Sequence, residues 1–321
     1  MIAFARIADR GPVAAAVLAA VLLLGALWIP ALLLAAGISN AMVVFAVMLS
    51  MFALVTSAAV VAFVALRHGE IAALQVAGGC LLLLILLSFL LYGSAVHIPL
   101  FALIGWLPAI IAAFVLARTV RLELAVLTII ASGLIAAFGF LFIYGDTTEL
   151  LQNAFGATQS AEGVQTPSMP LSEEQLDALV ENFARAMPGA FGLTIMIVTL
   201  AALFLARSWQ ADIVNPGGFQ KEFHALKFGR HIGLAGVLII LLAQWQGGQL
   251  SLAIAMIVLF GLFLQGLAVS HALVKQRNLH PYWLYGIYIL IFTLPHTLLL
   301  LAALGLADNL FSLRNAQSNN F

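Results

Sequence analysis

The residues able to do chemistry in this chain are few and far apart. His296 follows Pro295 in the last apolar run. An imidazole there could bind a ligand or relay a proton, or simply hydrogen-bond beside a proline kink. Gln265 lies within another apolar run, where an amide either ties helices together or faces a cavity. A third group is amphipathic: His97 with Pro99, Trp106 with Pro108, and Gln244 and Trp245 in the link "AQWQGGQ". Aromatic faces and amide donors of this kind suit a planar polar ligand, and they suit an interfacial belt equally well. These are the candidate ligand-binding positions.

The second constellation is the polar block "LARSWQADIVNPGGFQKEFHALKFGRH". Asn215-Pro216-Gly217-Gly218 has the form of a turn, with proline fixing φ at one corner and glycine supplying positive φ at the next. Phe219, Phe223 and Leu226 then recur at helical spacing, away from Lys221, Lys227 and Arg230. That pattern predicts a short interfacial helix, aromatics toward the acyl boundary and cations toward headgroups, with Trp209 as an interfacial anchor. Backbone N–H groups behind Gly217 and Gly218 could also hold a phosphate. Lipid contact, docking of a partner and plain anchoring all remain open for Trp209, Asn215, Gly217, Gly218, Lys221, Lys227 and Arg230.

Enzyme signatures are absent. The chain has no HExxH, GxSxG or Walker loop and no His/Cys cluster of metal-ligand spacing, and no spacing nominates a nucleophile facing a base. No catalytic residue, metal or cofactor is therefore expected. No apolar run carries a central Asp or Glu, which argues against an antiporter built on a carboxylate relay. Cys80 is the only cysteine, so no disulfide forms within one chain.

The elements that must position these residues follow from composition. The chain is 64% hydrophobic and 8% charged, too poor in polar residues to cover a soluble core of 321 residues. Helices of about 20 apolar residues span a bilayer. On that rule the apolar runs fall at 12–36, 41–66, 71–92, 98–117, 124–144, 188–206, 231–245, 249–274 and 284–304. The expected fold is an all-α, polytopic transmembrane bundle of about eight or nine spans, forming one integral membrane domain over 1–321. The first run is too long for a secretory h-region and reads as a retained helix.

Placing the N-terminus in the cytoplasm puts eleven of the thirteen Lys and Arg on that side, leaving Arg185 and Arg314 outside. This positive-inside bias sets the expected orientation, with 207–230 as a cytoplasmic basic loop and 145–187 as an acidic extracytoplasmic segment. Within the latter, "GATQSAEGVQTPSMP" should be irregular. "LSEEQLDALVENFARAMP" should form an amphipathic helix on the outer surface, capped by Ser172 with Gln175 and ending before Pro188. Its apolar face would be Leu176, Leu179, Val180, Phe183 and Met187, and it would frame the bundle or act as a lid. Net charge of zero gives no reason to expect nucleic acid.

The block from Trp209 to Arg230, with the ending "GLADNLFSLRN", resembles the YybS-like family of predicted bacterial membrane proteins, a domain of unknown function. The resemblance implies a multi-pass protein of a bacterial inner membrane. It also implies distant kinship with the substrate-binding membrane subunits of energy-coupling-factor vitamin importers, which hold small molecules in a helix bundle. Those subunits dock a partner through small residues spaced by four, a spacing shared here by Ala15 with Ala19 and Ala16 with Ala20. Two functions follow as expectations. One is a small-molecule-binding or transport component with an outward cavity near His97 and Trp106. The other is a non-transporting membrane organiser that recruits a cytoplasmic partner or anionic lipid through 209–230.

Overall fold

The computed structural model describes residues 2–92, 97–151 and 173–314. The expected irregular stretch and the Ser172 cap lie outside the described residues. Helices α1 (Ile2–Ala8), α2 (Pro12–Ala35), α3 (Asn40–His68), α4 (Glu70–Tyr92), α5 (His97–Thr119) and α6 (Leu122–Tyr144) are followed by α7 (Glu173–Val214) and α8 (Gly218–Ala225). Then come α9 (Arg230–Gln246), α10 (Gly248–Gln276), α11 (Tyr282–Thr293) and α12 (His296–Phe311). Among the described residues seven helices are long and apolar enough to cross a membrane, and α8 with α9 pass that test when taken as a pair. Helix answers the apolar sequence because it pairs the backbone polar groups within each segment, which lipid cannot do. The protein is an all-α polytopic bundle.

The chain forms two compact units. The first comprises 1–129 and 195–225, the second 130–194 and 226–321. In the first, α2 buries Ala15, Ala16, Ala19, Ala20 and Leu23. Small side chains there let neighbouring backbones come close enough for side chains to reach carbonyls. Ser57 Oγ donates to the Ala19 carbonyl at 2.8 Å, and Cys80 Sγ to that of Ala16 at 2.7 Å. The four-residue spacing of alanines is thus occupied by α3 and α4 of the same chain.

In the second unit Pro188 does not end a helix, contrary to the sequence expectation: α7 runs through it for 42 residues. Proline removes the N–H that would bond the Ala184 carbonyl, and Thr147 Oγ1 donates to that carbonyl instead, at 2.6 Å. Gly189 and Gly192 then pack so closely that a Cβ would press on Met256 and Ala253, or on the Gly133 carbonyl and Ile257. Of the expected apolar face, Val180 is buried while Leu179 and Phe183 are exposed. This segment is continuous with a spanning helix rather than a separate helix.

The run 284–304 is likewise not one span. Leu294 is extended (φ −128°, ψ 97°) and Pro295 follows, splitting it into α11 of 12 residues and α12 of 16. At about 1.5 Å per residue neither crosses a bilayer core of about 30 Å. Arg314 also needs correction. Its Nη2 donates to the Leu226 carbonyl at 2.9 Å, and Lys227 Nζ donates to Ser312 Oγ at 2.6 Å. The end of the described chain therefore lies at the same end of this unit as Lys227. Since α10 runs from Gln249, held at the Thr147 end, past Gln265 at the level of Phe228, the segment 277–314 leaves and returns at one end. Arg314 joins the cations there.

Candidate functional site

The polar block builds a site at the cation-rich end of the first unit. The turn forms as its sequence dictates: the Gly218 N–H donates to the Asn215 carbonyl at 2.9 Å, and Gly217 holds φ +81°. Proline at the first corner and positive φ at the second make this a type II turn. The reversal folds α8 back along the last turns of α7. Phe219 and Phe223 meet Phe204 edge-on, with centroids 5.2 and 5.6 Å apart. The aromatics of this short helix thus pack on α7. Trp209 also departs from the expected belt: it is 1% exposed, meets Phe63 edge-on at 6.1 Å, and its Nε1 has no hydrogen-bond partner among the described residues.

The same reversal brings together residues 15 apart in sequence. Arg207 Nε donates to Glu222 Oε2 at 2.9 Å and its Nη2 to Oε1, a two-pronged pair. Its Nη1 donates to Gln210 Oε1 at 3.0 Å, while Gln210 Nε2 donates to the Leu66 carbonyl at 2.6 Å. These side chains edge a recess of about 240 Å³, closed by Leu66, Leu116, Ala117, Val120, Val214 and Asn215. Val120 is at φ +54° and 77% exposed. A β-branched residue in the left-handed region is strained, because Cβ crowds the following carbonyl. It stands between α5 and α6, where the two-residue connection requires a left-handed corner. Lys221 is exposed and Gly218 buried.

The second unit holds a different polar cluster. Residues 226–229 are non-helical and lie against α10 and α12. Gln265, wholly buried, accepts from the Phe228 N–H at 3.2 Å and donates to the Gly305 carbonyl at 3.1 Å and Asn309 Oδ1 at 2.9 Å. Asn309 Oδ1 also accepts from the Gly229 N–H at 2.9 Å. Asp308, 0% exposed, accepts from Arg314 Nη2 at 2.7 Å. Gly266 and Gly305 make this proximity possible, since a Cβ on either would collide with the carbonyl of Leu301 or Leu262. Gln265 ties helices here.

The other expected positions are dispersed. Trp106, 1% exposed, donates through Nε1 to Ser57 Oγ at 3.2 Å, completing a relay from α5 through α3 to α2. His97 opens α5, and its side chain lies outside the described residues. Gln244 and Trp245 are exposed at the end of α9, Trp245 by 88%. His296 is exposed at the start of α12, and Arg230 at the start of α9. Asp146 holds the Thr148 N–H and Gln249 Nε2, both at 2.9 Å, and the Thr148 bonds draw its carboxyl below its ordinary range. Among the described residues no group of three His, Cys, Asp or Glu could hold a metal ion. Sequence reasoning missed Arg207, Gln210 and Glu222 as a group. The available signal was a cation, an amide and an acid flanking one predicted turn.

A family model described as "Predicted membrane protein (DUF2232)" matches residues 17–309, and the chain belongs to that family. No curated protein and no solved structure matches it.

Proposed function

We propose that this member of a predicted membrane protein family is a non-catalytic, small-molecule-binding component whose ligand seats in the recess between Arg207, Gln210 and Glu222. The observation that carries the reading is the recess itself, lined by both polar and apolar side chains and edged by a strained Val120. Strained backbone persists only where surrounding structure holds it, and it concentrates at ligand clamps. At about 240 Å³ the recess lies below the usual range for drug-sized ligands, so the ligand is small. An anionic group would compete with Glu222 for Arg207 while an apolar portion rests on Leu116 and Val214. The chain sits in a bacterial inner membrane with this end in the cytoplasm, so the site is cytoplasmic rather than outward as first expected. Small molecules released on denaturing the purified protein, identified by mass spectrometry, test this. A near-stoichiometric compound lost from Ala117→Trp, which fills the recess from an exposed position, supports the reading. Equal release from both proteins refutes it.

A second reading, recruitment of a cytoplasmic protein through α8, rests on the exposure of Gln220, Lys221 and Ala225 along that helix. Photocrosslinking from position 220 should then capture one reproducible partner, and a random background would end it.

A further inference from the structure

A larger groove lies in the first unit, along its N-terminal segment. Helix α1 ends at Ala8, the chain turns at Gly11 with φ +139°, and α2 starts at Pro12. Between α1 and the outer face of α2 runs a groove of about 730 Å³, walled by Ile7 and floored by Pro12, Val13, Val17 and Val21, with Arg10 at its mouth. The valines recur at i, i+4 and i+8, so they form one stripe about 12 Å long. All three stay exposed, at 78, 50 and 60%. In a membrane such a stripe meets lipid, but a plain helix face offers no wall and no charged mouth.

The charge at the mouth selects among lipids. Asp9, the only acid nearby in sequence, is already taken by Arg67 at 3.3 Å and His68 at 2.9 Å. Arg6 and Arg10 are exposed, and the first turn of α2 carries no acidic residue. The mouth is thus left with an excess of positive charge directly above an apolar channel that runs along a spanning helix. We infer that this groove is a binding site for one monoanionic phospholipid, its phosphate at Arg10 and one acyl chain along Val13, Val17 and Val21. The site is independent of the Arg207 recess. Guanidinium pairs with phosphate oxygens through a planar fork of donors, which a zwitterionic headgroup bearing its own ammonium satisfies less well.

The test uses the full chain, reconstituted in vesicles of equal phosphatidylglycerol and phosphatidylethanolamine and ejected into native mass spectrometry. The wild type should retain one phosphatidylglycerol in preference to phosphatidylethanolamine. Arg10→Gln should lower that retention about fivefold, the worth of one cation at a membrane surface. Val17→Trp, at an exposed position, should abolish retention by filling the channel. Arg277→Gln, an exposed cation elsewhere, should leave retention unchanged. Size-exclusion profiles matching the wild type establish that each variant is folded. Equal retention of both lipids by the wild type, or unchanged phosphatidylglycerol retention in folded Arg10→Gln, overturns the assignment.

Discussion

Two regions of this protein use the same three chemical groups, an arginine, a carboxylate and a side-chain amide, to opposite ends. Around Arg207 the pair with Glu222 keeps 13 and 25% of its side-chain surface, and a recess opens beside it. Around Arg314 the pair with Asp308 keeps 9 and 0%, and Gln265 and Asn309 use their amides to hold the backbone of residues 226–229. An open pair can exchange partners with a solute, because water covers the intermediate state. A sealed pair cannot, because each group released stays buried and unpaired. The proposed binding role rests on the openness of the first arrangement, whereas the second holds a helix break in place.

The sealed cluster gives the largest expected effect. Asp308→Ala removes the wholly buried carboxylate that pairs with Arg314 and should destabilise the protein by about 3–5 kcal/mol, read from denaturant unfolding in micelles. Gln265→Leu should cost about 1–3 kcal/mol, since the Phe228 N–H loses its acceptor. Exchange of the Phe228 and Gly229 amide protons should accelerate in that variant. By contrast, Glu222→Gln should change stability by about 1 kcal/mol or less, as befits a pair that keeps part of its surface in solvent and retains a neutral acceptor at position 222, while altering whatever the recess releases. A loss in Glu222→Gln as large as that of Asp308→Ala would erase the distinction between the regions. Val120→Gly removes a Cβ from the left-handed region and should stabilise the chain by about 1 kcal/mol.

The smallest effect concerns pH. The folded carboxyl of Asp146 is drawn below its ordinary range by its bonds to Thr148. Its contribution is therefore complete above the unfolded pKa and disappears as pH falls through the folded one. Protection of the Thr148 amide should fall in acid in the wild type, and Asp146→Asn should remove that dependence.

Much of the fold was legible because lipid simplifies the problem. Apolar length located the spans, and Pro216-Gly217 announced the turn before α8. What escaped were positions whose chemistry fits two environments. Tryptophan has an apolar body and one donor, so Trp106 and Trp209 suit a belt or a core, and only packing against Ser57 and Phe63 decides. Prolines were equally ambiguous. Pro188 continues a helix because Thr147 serves the freed carbonyl, whereas Pro295 follows an extended Leu294 that breaks one. Arg314 was assigned to the wrong end because a charge count cannot see a helix pair that turns back. The recess was illegible as a unit, because Arg207 and Glu222 belong to different helices and meet only through the turn.

The most direct test of the recess is a density map of the protein in lipid nanodiscs, extracted without exchange of its native small molecules. The account predicts an additional non-protein density in contact with Arg207, with Glu222 shifted from the guanidinium. An Arg207–Glu222 pair left intact beside a recess holding only solvent would contradict it.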